Sequence, residues 1–125
     1  MIRRPPRSTQ GVSSAASDVY KRQDHVTLIF DEIDSGVGGA TADAVGQRLR
    51  ELARGSQILV VTHSPQVAAL GNHHIKVVKT RENTSSTINI VRLNSAERVD
   101  EIGRMLSGGS LTAEAQSAAK VLLQG

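Results

Sequence analysis

A continuous run of apolar and β-branched residues, Val26 to Phe30, leads directly into two adjacent carboxylates, Asp31 and Glu32. Because the run does not alternate between apolar and polar positions, it predicts a strand that is buried on both faces, as in a parallel sheet. Open parallel sheets bind their ligands just beyond the carboxyl ends of their strands. We therefore expect both carboxylates at a ligand-binding edge. The alternative is that the two residues only begin a turn or cap the next helix.

A second uninterrupted apolar run spans residues 57–62 and follows a segment with helical periodicity. Within that segment, residues 41–54, the apolar side chains of Val45, Leu49 and Leu52 recur at i, i+4 and i+7. Strand, helix and strand at this spacing form a βαβ unit whose strands are parallel. The sequence therefore predicts the α/β fold class.

His63 directly follows the second apolar run, so the predicted topology places it at the same sheet edge as Asp31 and Glu32. In nucleotide hydrolases, a strand-end Asp helps to hold Mg²⁺ and a neighbouring group orients the attacking water. A histidine there can donate a hydrogen bond to a phosphate or position that water. A lone strand-end histidine is usually a loop residue, but its pairing with two carboxylates across a crossover favours metal-assisted phosphoryl transfer.

The loop after the carboxylates, residues 34–39, has glycine at three of its last four positions. It lacks both a Lys-Ser/Thr pair and a G-x-G-x-x-G spacing, and no G-x-x-x-x-G-K-[ST] occurs anywhere in the chain. We interpret it as a strand-to-helix loop near the active edge and not as the main phosphate-binding loop.

The remaining segments predict a short helix over residues 64–70, a hairpin from runs 73–79 and 87–93, and two helices that begin at Ser95 and Thr112. The polar residues 80–86 predict a loose hairpin loop. The apolar helix positions predicted to face inward are Val99, Ile102, Leu106, Ala115, Ala118 or Ala119, and Leu122. The Ser-Gly-Gly after Leu106 predicts a helix C-terminal turn. His73 and His74 point to opposite strand faces, which disfavours zinc.

Residues 1–23 contain five of the fifteen basic residues and one of the twelve acidic ones, whereas residues 24–125 contain ten and eleven. The globular part is therefore not basic. The Arg-, Pro- and Ser-rich composition of this tail predicts disorder. The tail could be a basic arm for DNA, but we prefer to interpret it as non-native sequence, because it resembles translated sequencing adapters. The chain has no cysteine and no apolar run that could span a membrane.

Three segments, residues 31–39, 62–69 and 98–106, resemble the RecN family of bacterial SMC-like ATPases that repair DNA double-strand breaks. Residues 27–34 look like the Walker B motif of ABC-type and SMC-like ATPases, and residues 60–63 look like their switch-histidine loop. The resemblance covers residues 24–125. It implies the C-terminal half of an ABC/SMC-type P-loop NTPase head, made of a parallel βαβ core, a β-hairpin and two C-terminal helices. The half is incomplete, because the Walker A lysine, Q-loop and signature motif are absent.

The resemblance also implies roles and partners. Asp31 would support Mg²⁺ through its water shell, Glu32 would polarise the hydrolytic water, and His63 would sense the γ-phosphate. Asp34, Ser35 and Gly36 would form the D-loop at the nucleotide and the interface of a homodimer of heads. The parent would use ATP and Mg²⁺, act on DNA and be a bacterial cytoplasmic, nucleoid-associated protein, while the fragment would be inactive alone. Another ABC-type subunit and a non-catalytic α/β interaction module remain the alternatives.

Overall fold

The computed structural model describes residues 26–125, so the prediction of a disordered, non-native tail over residues 1–23 lies outside the described residues. The described chain has four strands and four helices. In chain order they are β1 Thr27–Asp31, α1 Gly39–Leu52, β2 Gln57–Val61, α2 Pro65–Leu70, β3 Ile75–Glu82, β4 Ser85–Arg92, α3 Ser95–Ser107 and α4 Ala113–Gln124.

Strands β1 and β2 pair in parallel, in a register that runs from Thr27 opposite Gln57 to Asp31 opposite Val61. Helix α1 connects them, which confirms the predicted βαβ unit. Because Asp31 and Val61 are partners at the ends of their strands, the residues that follow both strands meet at one edge of the sheet.

The prediction that β1 is buried on both faces is wrong for the described chain. One face of the strand pair packs on a cluster formed by Ala42, Leu49 and Val67, which Phe30, Ile58 and Val60 contact. The opposite face is exposed, and its members include Ile29, Leu59 and Val61. Within residues 26–125 the helices cover only one side of these two strands, so the apolar residues of the other side have no layer above them. Leu52, the last residue of the apolar period in α1, is also half exposed, whereas Leu49 of the same period is buried.

Helices α3 and α4 pack on each other and form a second cluster with α2, centred on Ala69, Ile102 and Ala119. Ile102 and Ala119 are fully buried. Helix α3 begins with a capping box, in which the Asn94 side chain accepts from the Glu97 N–H and the Glu97 carboxylate accepts from the Asn94 N–H. The inward residue of the alternatives in α4 is Ala119, because Ala118 is exposed.

Strands β3 and β4 form an antiparallel hairpin that pairs from Ile75–Arg92 to Glu82–Ser85. Its turn consists only of Asn83 and Thr84, so the predicted loose loop over residues 80–86 is wrong. Backbone pairing continues through the polar residues of that stretch because the ladder depends on N–H and C=O groups and not on side-chain polarity. Asn83 adopts a φ of 48°, a conformation that asparagine tolerates better than most residues.

Helix α3 ends at a glycine turn, as predicted. Gly108 is left-handed with a φ of 79°, and the N–H of Gly109 donates to the Arg104 carbonyl at 3.0 Å. This bond satisfies one of the carbonyls that a helix leaves unpaired at its C-terminus. Among residues 26–125, no helix combines the length and the apolar content that crossing a bilayer requires.

Candidate active site

Glu32 and His63 meet at the shared edge of β1 and β2. The Nε2 atom of His63 lies 2.9 Å from Oε1 of Glu32, and both side chains are open to solvent, with exposed fractions of 91% and 47%. The backbone N–H of Glu32 donates to the Val61 carbonyl at 2.8 Å, which extends the strand pairing by one residue and fixes where the Glu32 side chain leaves the sheet. The structure therefore brings together a carboxylate and an imidazole that are 31 positions apart in sequence.

The backbone of Glu32 is left-handed, with a φ of 51°. Non-glycine residues adopt this conformation uncommonly, and it occurs often in turns and at functional sites. The turn that it starts continues with a hydrogen bond from the Ser35 N–H to the Glu32 carbonyl at 3.1 Å. The chain thus reverses immediately after the strand, which leaves the Glu32 carboxylate at the rim of the sheet.

Asp34 lies beneath this rim and is 7% exposed. The hydroxyl of Thr62 donates a short hydrogen bond to its Oδ2 atom, and the same hydroxyl accepts from the Ser64 N–H at 2.8 Å. A buried carboxylate needs such partners, because its desolvation is otherwise costly. Thr62 thereby ties the loop after β1 to the loop after β2. Sequence reasoning did not single out Thr62, although its position beside His63 was the available signal.

The residues of the two loops surround an open depression of about 270 Å³. Gly36, at its rim, has a φ of 78°, which an L side chain rarely adopts. Asp31, the last residue of β1, is exposed and is not among the lining residues. The lining residues are Glu32, Asp34, Ser35, Gly36, His63 and Ser64.

The described residues offer few groups to a metal ion. No group of three or more His, Cys, Asp or Glu side chains converges anywhere in residues 26–125. Mg²⁺ does not need such a cage, because it keeps several waters and binds through one or two carboxylates together with substrate phosphates. The exposed carboxylates of Asp31 and Glu32 at the sheet edge fit that requirement, whereas they do not fit a closed, all-protein metal site.

Curated relatives match most of the chain. It is 42% identical over 107 residues to the DNA repair protein RecN of Rickettsia bellii, 50% identical over 98 residues to that of Xylella fastidiosa, and 38% identical over 114 residues to that of Bacillus subtilis. The chain is RecN-like. These matches cover 86%, 78% and 90% of the chain but only 20%, 18% and 20% of the relatives, so it corresponds to about a fifth of their length. No family model matches.

A solved structure supports the fold of this RecN-like chain. It comes from work on the ATP-driven dimerization and DNA-stimulated activation of SMC ATPases, and it superposes with a TM-score of 0.54 over 74% of this chain and 57% of its own. At 21% sequence identity, the likeness concerns the fold alone. It confirms the predicted α/β fold, with a parallel strand pair, a hairpin and C-terminal helices.

Proposed function

We propose that this RecN-like chain supplies the Walker B and switch-histidine edge of the ATPase head of a DNA repair protein that acts on double-strand breaks. The observation that carries the proposal is the 2.9 Å contact between Glu32 and His63 at the carboxyl ends of two parallel strands. The identity of 38–50% to RecN proteins supports the same assignment. An exposed carboxylate can accept a proton from water, and an imidazole beside it can donate a hydrogen bond to a phosphate.

In the proposed reaction, Glu32 orients the attacking water and takes up its proton as the water oxygen bonds to the γ-phosphorus of ATP. The bond between that phosphorus and the β–γ bridging oxygen breaks, and ADP leaves with the electron pair. The Nε2 atom of His63 faces the Glu32 carboxylate, so His63 can hold that carboxylate in place or turn to donate a hydrogen bond to the γ-phosphate. Asp31, the strand-end carboxylate, would hold Mg²⁺ through its water shell. When bound, Mg²⁺ would neutralise phosphate charge in the transition state.

The proposal assigns different tasks to the residues of the glycine loop. Asp34 is buried and bound by Thr62, so its carboxylate shapes the loop from inside. Ser35 and Gly36 are exposed beside the depression, and they are the parts of the loop that could contact a second head and its nucleotide. A homodimer of heads, action on DNA and a nucleoid-associated place in the bacterial cytoplasm belong to this proposal for the parent protein.

The test is phosphate release by the full-length parent with Mg²⁺ and ATP. We expect Glu32→Gln to lower kcat at least about 100-fold, because a positioned general base contributes on the order of 10²–10⁴. The matched control is Glu51→Gln, which removes an exposed carboxylate whose one ion pair among residues 26–125 is with Arg48 of helix α1. The control should retain wild-type turnover.

The 125-residue chain alone should release no phosphate above the buffer rate, because it lacks a phosphate-binding loop of the G-x-x-x-x-G-K-[ST] type. If the 125-residue chain alone hydrolyses ATP and Glu32→Gln abolishes that turnover, hydrolysis does not depend on another segment and this expectation is wrong. Full activity of the parent carrying Glu32→Gln would refute the catalytic assignment and favour a non-catalytic interaction module.

A further inference from the structure

Arg98, on helix α3, binds the end of another helix. Its Nη2 atom donates to the carbonyls of Ala68 and Ala69 at 3.0 and 3.1 Å and, by a shorter bond, to the carbonyl of Gly71. These carbonyls belong to the last turn of helix α2 and its C-cap. A helix leaves its last carbonyls without partners and carries partial negative charge at that end, so a guanidinium is well matched to it. Arg98 is partly buried, and this burial lowers the pKa of its guanidinium.

The other end of α2 is joined to the candidate site. Ser64, the residue after His63, is the N-cap of α2, and its hydroxyl accepts from the Val67 N–H. Its own N–H donates to the Thr62 hydroxyl, which in turn holds Asp34. A single connected path therefore runs from Arg98 through α2 to the loop that carries His63.

Helix α2 has only six residues, which is too short to be stable without tertiary contacts. Val67 packs in the cluster under the parallel strands, whereas Ala69 packs in the cluster of α3 and α4. The helix is thus seated in both clusters, and Arg98 provides the hydrogen bonds that fix its position along its axis. A shift of α2 would move Ser64 and the neighbouring His63 with it.

We infer that Arg98 is a positioning residue for the site: it holds α2, and through α2 it sets where His63 stands relative to Glu32. This inference rests on the proposed ATPase function for its catalytic consequence. Its structural part, the placement of α2 and His63, depends only on the hydrogen bonds of Arg98 and the packing of α2. Arg98 lies in the segment 98–106 that the sequence singled out, and the site itself does not explain that segment.

The structural part is tested on the 125-residue chain by amide resonances in ¹H–¹⁵N NMR spectra. Arg98→Met should shift the resonances of residues 62–64 and Glu32 as well as those of residues 68–71. Arg98→Lys keeps the charge and should produce smaller shifts at the same places. The matched control is Arg104→Met, on the same helix, because the Arg104 side chain binds Glu101 and makes no hydrogen bond to α2 within residues 26–125. Shifts confined to residues 68–71 would refute positioning and leave a purely local structural role.

The catalytic part is tested on the full-length parent by kcat and KM for ATP. We expect Arg98→Met to lower kcat about tenfold with KM changed less than about twofold, because displacing a catalytic group costs turnover more than substrate binding. Arg98→Lys should recover part of that loss, and Arg104→Met should match the wild type.

The two proposals fail differently. If wild-type turnover survives Glu32→Gln, the proposed function is wrong whatever Arg98 does. If Glu32→Gln abolishes turnover but Arg98→Met behaves like Arg104→Met, only the positioning inference is wrong. If Arg98→Met does not fold, the NMR and kinetic comparison of Arg98→Lys with Arg104→Lys decides, with equality of the two variants overturning the inference.

Discussion

The parallel strand pair and the C-terminal helix pair bury their apolar residues to very different degrees. In the helix pair, Ile102 and Ala119 are fully buried by residues of this chain. In the strand pair, Ile29 remains 67% exposed and Leu59 47%. Strands β1 and β2 nevertheless carry the candidate site at their carboxyl ends. The comparison teaches that the best-packed part of the described chain and the part that carries the candidate site are distinct, so mutations should separate stability from the proposed function.

The largest effect should come from the helix pair. Ile102→Ala removes three carbons from a fully buried site and should lower the free energy of unfolding by about 2–5 kcal/mol, because it forfeits burial and leaves a cavity. Ile29→Ala, on the exposed face of β1, should cost less than about 1 kcal/mol, mainly through strand propensity. Urea unfolding followed by circular dichroism measures both. Equal losses of unfolding free energy in the two variants would contradict the difference in burial and show that Ile29 is covered in solution.

A smaller loss should come from the tie between the two site loops. Thr62→Val leaves the buried Asp34 carboxylate and the Ser64 N–H without the hydroxyl they share, which should cost about 1–3 kcal/mol. The matched control is Thr27→Val at the other end of the strand pair, because the hydroxyl of Thr27 donates to the exposed Gln57 side chain and, in the described part of the chain, to no buried group. The same unfolding experiment measures both variants. A loss in Thr62→Val no greater than in the control would mean that Asp34 finds another donor.

The smallest effect should be a dependence of folding stability on pH, which arises from His74. Burial, the Arg98 charge and the Lys76 charge lower the pKa of His74 below its ordinary 6.5, and Glu101 only partly opposes them. Well above pH 6.5 the histidine is neutral in both the folded and the unfolded state, so it contributes no pH dependence there. As the pH falls below 6.5, the unfolded chain takes up the proton more readily, and folding stability declines until the folded pKa is passed. Urea unfolding of wild type and His74→Gln between pH 7.5 and about 5 should show a shallower decline in the variant, whereas identical slopes would exclude His74 as its source.

Much of the architecture could be predicted because it depends on local pattern. The apolar runs, the helical period of α1 and the caps at Ser64, Asn94 and Thr112 are short-range signals, and elements appear where those signals occur. The meeting of Glu32 and His63 was also predictable, since a right-handed βαβ unit places both strand ends at one edge. Their roles in catalysis stay predictions.

The remaining features could not be predicted without knowing which elements of secondary structure pack against each other. An apolar run such as Val26 to Phe30 has the same letters whether one or two faces are covered, so the exposure of Ile29 could not be read from it. The hydrogen bonds of Thr62 and Arg98 join residues 28 and about 30 positions apart, and no periodicity encodes such a contact. The tight turn at Asn83 was missed because polar side chains on a strand edge look like loop residues.

The left-handed backbone at Glu32 has a consequence for how this chain could change. Such a conformation costs roughly 1–3 kcal/mol for an ordinary side chain, and glycine or asparagine would adopt it more easily. Glycine or asparagine at position 32 would therefore relax the backbone and at the same time remove the carboxylate. Under the proposed function, folding stability and hydrolysis place opposing demands on this one residue, which makes position 32 a point of trade-off between stability and activity.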